Sequence, residues 1–99
     1  MGIYHIVLIK FTAGTADEEI ERWKEAALGL QEKIPVIKKV EVGKKIPHPF
    51  DQGWDNAVIF HFGGVDEMQS YFPHHEHIAY QKAFSSIIQD RLCFDFDVE

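Results

Sequence analysis

With 99 residues, 45% of them hydrophobic and 13% aromatic, the chain has the length of one ordinary domain and the apolar mass for a continuous core. A formal net charge of −6 argues against a nucleic-acid partner, because phosphate backbones are held mainly by lysine and arginine. No apolar run approaches the roughly 20 residues that cross a bilayer, and the start lacks the basic and apolar regions of a signal peptide, so a cytoplasmic protein without a membrane partner is expected. The lone cysteine, Cys93, has no internal disulfide partner, in keeping with a reducing compartment, and reads as a small strand residue rather than a nucleophile.

Ile3 to Phe11 is an almost unbroken apolar stretch rich in Ile and Val, the pattern of a central strand covered on both faces. Thr12 to Gly14 turn the chain. Thr15 and Glu18 stand at capping-box spacing, and Asp17, Glu18 and Glu19 suit a helix N-terminus, so a helix is predicted from about Ala16. Its apolar stripe is Ile20, Trp23, Ala27, Leu30 and Ile34, and Pro35 ends it. Ile37 to Ile46 alternates around Val40 and Val42 as a half-exposed edge strand does, and Pro47 to Gly53 is dense in turn formers. A third strand is predicted over Trp54 to Phe62, with His61 on the face opposite Val58 and Phe62. Gly63 and Gly64 break it. Val65 to Tyr71 then forms a short helix before Pro73, and a further helix runs from about His74 to Gln89, its stripe of Tyr80, Phe84, Ile87 and Ile88 reaching back to His77. In the last strand, Arg91 to Val98, Leu92, Phe94, Phe96 and Val98 share one face and Cys93, Asp95 and Asp97 the other.

Strand, helix, strand, strand, helix, strand is the split βαβ order of an α+β, ferredoxin-like fold, a four-stranded antiparallel sheet with helices on one face. The other face keeps Ile6, Leu8, Leu92, Phe94 and Phe96. An apolar patch of that kind calls for a cover, and the simplest is a second copy, so a homodimer through the sheet face is expected.

Several short features occur in a specific order: His5 and Lys10-Phe11, Ile34-Pro35, Val42-Gly43-Lys44, Gly53-Trp54, Tyr71 followed by His74 and His77, and Phe94-Asp95. In this set the chain resembles, over nearly its whole length, the stress-responsive α/β-barrel (Dabb) family of dimeric α+β barrels. That family holds plant stress-induced proteins, microbial proteins without assigned activity, and a plant polyketide cyclase. The resemblance implies catalysis by Tyr71 and His77 in a pocket between helices and sheet, with Asp95 orienting His77. It also implies a lining of His5, Val7, Ile9, Val58, Tyr80 and Ile88. Trp23 and Ala27 on the first helix, His74 beside His77, and Arg91 on the last strand are further candidates for the substrate-binding lining. Two departures from the cyclase pattern bear on substrate: Asn56 replaces a histidine, and Arg91 stands where an aliphatic residue would suit an alkyl chain.

The residues themselves support the chemistry. A neutral imidazole removes a proton beside a carbonyl while a phenol donates a hydrogen bond to the forming enolate oxygen. The expected activity is polyketide cyclase-like, or that of a related lyase or isomerase acting on a small carbonyl compound, with no organic cofactor. The alternative is a noncatalytic stress-responsive dimer that binds a small ligand, in which His77 is a buried histidine satisfied by Asp95 and Tyr71 a core phenol. His74, His75, Glu76 and His77 carry metal-ligand chemistry, but His75 points away from the face shared by His74 and His77, so no metal site is expected.

Overall fold

The computed structural model describes residues 2–98. Its elements are β1 (Gly2–Phe11), α1 (Asp17–Lys33), β2 (Ile37–Val42), β3 (Asn56–Phe62), α2 (Val65–Tyr71), α3 (His75–Phe84) and β4 (Ile88–Val98). The strands form one antiparallel sheet in the order β2-β3-β1-β4. The α+β, ferredoxin-like architecture expected from the element order is therefore present, with the near-continuous apolar strand β1 at the centre.

Parity divides the sheet. Ile3, His5 and Ile9 of β1, Val58, Phe60 and Phe62 of β3, and Ile37 and Val40 of β2 point inward and are buried beneath the helices. From α1 the predicted stripe supplies Trp23, Ala27 and Leu30, all essentially inaccessible, while Ile34 is buried just past the helix end. On the outer face, Tyr4 packs edge-on against His61 with ring centroids 4.3 Å apart. His61 Nε2–H donates to Glu41 Oε1 at 2.7 Å. Leu92, Phe94 and Phe96 of β4 stand in solvent on that same face, Phe94 being 62% exposed.

Besides β2, which ends at Val42 rather than Ile46, three expected boundaries shift, each for a local reason. The Thr15–Glu18 capping box does not form: Thr15 Oγ1 donates instead to the Thr12 carbonyl at 2.6 Å, so Ala16 becomes the N-cap without a side-chain bond. The acidic residues Asp17, Glu18 and Glu19 then supply the favourable charge at the helix start. The helix predicted over His74 to Gln89 ends at Phe84, because Ile88 is recruited into pairing with Phe11 and Thr12 N–H donates to the Ile87 carbonyl at 2.8 Å. β3 starts at Asn56 rather than Trp54, since Asp51 to Trp54 turn and Asp55 Oδ2 accepts from the Phe11 amide at 2.8 Å, next to a register shift in β1.

At one sheet edge, the Gln31 side chain of α1 reaches β2, where its Oε1 accepts from the Val40 amide at 3.1 Å and its Nε2–H donates to the Lys38 carbonyl at 3.3 Å. Those contacts use backbone groups that a free edge strand would leave open. At the other edge, the shortened α3 leaves the inner side of β4 without a helical roof, so Arg91, Cys93 and Asp95 stay exposed. Among the described residues no helix is long and apolar enough to cross a membrane.

Candidate functional site

Between the inner sheet face and α2–α3 lies a cavity of about 220 Å³. Its floor is β1 and β3: His5, Val7 and Ile9 beside Val58 and Phe60. Tyr71 closes it from the end of α2, and His77 and Tyr80 from α3; Ile88 and Arg91 flank it from β4. The expected lining residues His5, Val7, Ile9, Val58, Tyr80, Ile88 and Arg91 thus come together around the expected pair, Tyr71 and His77.

Tyr71 and His77 are neighbours across the Phe72-Pro73 corner. Their ring centroids are 4.2 Å apart and both side chains are buried. The corner also orients the imidazole: His77 Nδ1–H donates to the Phe72 carbonyl at 2.9 Å. A carbonyl oxygen only accepts, so the proton of the neutral ring sits on Nδ1 and Nε2 holds the lone pair. Burial lowers the His77 pKa below the ordinary histidine value, and the charges of His5, Arg91 and His74 push the same way against the opposing bond to Phe72. The ring is neutral at pH 7. Burial pushes the Tyr71 phenol far above its ordinary value, so it stays a proton donor, and Tyr80 shifts in the same direction for the same cause.

One expected contact is absent. Asp95 does not hold His77; its Oδ1 accepts from His5 Nδ1 at 2.5 Å. The reason is register: antiparallel pairing sets His5 of β1 directly opposite Asp95 of β4, whereas His77 is claimed by the main chain of its own corner. Three further candidates lie outside the lining. Trp23 and Ala27 are fully buried in the core and absent from the lining, Trp23 edge-on to Phe11 at 5.3 Å, because the stripe of α1 that carries them is packed into the core. His74 is occupied as the N-cap of α3, where its Nδ1 accepts from the Glu76 amide at 3.1 Å. Trp23 Nε1 is the one buried side-chain polar atom without a hydrogen-bond partner among the described residues.

Phe60, Phe72, Gln81 and Cys93 also line the cavity. Phe60 and Cys93 follow from strand parity, alternating with the neighbours already singled out, and Gln81 stands one helical turn after His77. Phe72 carried no such signal, since its place depends on the turn at Pro73. Burial and the Asp95 charge raise the Cys93 pKa, which keeps the thiol protonated and poorly nucleophilic. No group of three or more acidic, histidine or cysteine side chains that would hold a metal occurs among the described residues.

The sequence model described as the stress responsive A/B barrel domain (Dabb) matches residues 3–98. The chain belongs to that family. Among proteins it is similar to, olivetolic acid cyclase of Cannabis sativa is 25% identical over 97 residues, covering 97% of this chain and 96% of the cyclase. A dimeric protein of unknown function and ferredoxin-like fold from Bacteroides fragilis is 33% identical, covers 98% of this chain and 96% of its own, and superposes with a TM-score of 0.82. The hydroxynitrile lyase of Passiflora edulis shares the Dabb-like fold with a TM-score of 0.89 at 17% identity, over 99% of this chain and 94% of the lyase, a likeness of fold alone.

Proposed function

We propose that this Dabb protein is a cofactor-independent catalyst of carbon–carbon chemistry beside a carbonyl, a cyclase-like lyase or isomerase, with His77 as base and Tyr71 as oxyanion donor. His77 Nε2 takes a proton from the carbon next to the carbonyl, leaving its electron pair in an enolate whose oxygen accepts the Tyr71 hydroxyl bond. In a cyclisation the enolate carbon attacks a second carbonyl of the same molecule. That carbonyl's π bond becomes an alkoxide, which recovers the proton from the His77 imidazolium.

The observation that carries this reading is the Nδ1–H bond to the Phe72 carbonyl, which leaves the basic nitrogen of a neutral, buried imidazole beside a buried phenol. Similarity to olivetolic acid cyclase adds support. A cavity of about 220 Å³ is smaller than the roughly 300–1,000 Å³ of drug-sized sites, which favours a compact, ring-sized substrate over a long-chain one. The protein acts as a homodimer in this reading, its exposed Leu92, Phe94 and Phe96 covered by a second copy; the similar proteins from Bacteroides fragilis and Thermobifida fusca are dimeric.

A noncatalytic ligand-binding role is the second reading. It is favoured by one feature: His77 is oriented by a main-chain carbonyl and not by a carboxylate, which does less to raise its basicity. Exchange of the methyl protons of acetophenone in D2O, followed by NMR, separates the two. Acceleration by the wild type that falls about a hundredfold or more in His77→Gln is expected for a working base; equal exchange rates in both proteins would leave only the binding role.

A further inference from the structure

Arg91 lines the cavity from β4, yet no carboxylate lies within ion-pair distance of its guanidinium among the described residues. The acidic groups nearest along the chain are otherwise engaged. Asp90 turns its side chain to the Arg91 backbone amide at 2.8 Å, and Asp95 is bound to His5. The groups facing His77 are Tyr71 from α2, His5 from β1, Arg91 and Cys93 from β4, and His74 at the start of its own helix. Only Arg91 among them carries a permanent charge.

We infer that the site takes a small carbonyl compound that also bears a carboxylate, and that Arg91 at the cavity mouth binds that carboxylate and selects the substrate. This deepens the proposed carbonyl chemistry and rests on it for the word substrate, though not for the binding. A planar guanidinium matches a carboxylate through two parallel N–H donors, and Tyr80 and Gln81, both with donor groups, line the same cavity. A monoanion fits the site's charge better than a phosphate dianion, because Asp95 and Asp97 share this side of β4 and the chain carries −6 overall. Binding has a second effect on the chemistry. An anion on Arg91 cancels one of the charges that lower the His77 pKa, so the correct substrate makes its own base stronger.

The test compares 4-acetylbenzoate with 4-acetylbenzamide, which differ in little but the charge. Isothermal titration calorimetry of each compound reads its affinity for wild type and Arg91→Gln. The carboxylate is expected to bind about tenfold to a hundredfold more tightly than the amide in wild type, and about equally in Arg91→Gln. Millimolar inorganic phosphate leaves the affinity for the carboxylate in place. Carboxylate and amide binding alike, neither compound binding, the preference surviving in Arg91→Gln, or displacement by phosphate would each overturn the inference. Loss of proton exchange without loss of the carboxylate preference overturns only the catalytic reading.

Discussion

Phe94→Ser tests whether a second copy covers the outer sheet face, with little disturbance of the protomer, because Phe94 is 62% exposed and belongs to no buried cluster. An aromatic side chain offers about 150–250 Å², so about 100–150 Å² of Phe94 faces solvent in the single chain. At about 25 cal/mol per Å², covering it contributes about 3 kcal/mol per copy. In an isologous dimer the residue counts twice. Interface area converts incompletely into affinity, so the expected weakening is about 4 kcal/mol, or about a thousandfold in the dissociation constant. Sedimentation equilibrium across a concentration series reads this directly, with circular dichroism verifying the fold. Leu28→Ser is the control, an exposed leucine on α1 away from the sheet, and it leaves association unchanged. Equal dissociation constants for wild type and a folded Phe94→Ser, or an equal loss in Leu28→Ser, would refute the assignment of this face.

Tyr71→Phe lowers the exchange rate on acetophenone about a hundredfold, as for loss of one oxyanion donor, while thermal melting moves little, since the ring and its packing against Phe60 and Phe62 are kept. Because the His77 pKa is lowered and neutral imidazole is the active form, activity is flat at neutral pH and falls only on the acid side of the ordinary histidine value; a fall beginning above pH 7 contradicts this. The same shift couples to stability. With the folded pKa below the unfolded one, the unfolded chain binds more protons between them, so stability is full above the unfolded value and declines as pH falls through the folded one, a decline that His77→Gln flattens in chemical denaturation. Asp95→Asn leaves the NMR titration of His77 close to its wild-type position, whereas a His77–Asp95 pair would move it.

Much of this architecture follows from periodicities visible in the chain. The i, i+4, i+7 run from Trp23 through Ala27 to Leu30 is the buried stripe of α1, and strict alternation in β4 separates Phe94 and Phe96 from Cys93 and Asp95. Parity likewise put His61 on the outer face and Arg91 on the inner one. What periodicity does not carry is which strand lies beside which and in what register. Asp95 is 90 positions from His5, and only the β1–β4 pairing makes them partners in place of His77. Competition between local bonds was equally hidden: the Thr15 hydroxyl prefers the Thr12 carbonyl to the helix start, and Ile88 prefers a strand partner to another helical turn. A stripe also does not say which of its buried residues meet a cavity and which meet other side chains: Trp23 packs against Phe11 and does not line the cavity.

The shortness of α3 has a kinetic meaning. Since α3 stops covering β4 after Phe84, solutes reach Arg91 and then the imidazole along an open flank, with no segment among the described residues that must swing aside first. Encounter and escape should therefore be fast, and turnover set by bond making rather than by gating. Raising solvent viscosity would then leave the maximal rate nearly constant, whereas deuterium on the reacting carbon would slow it.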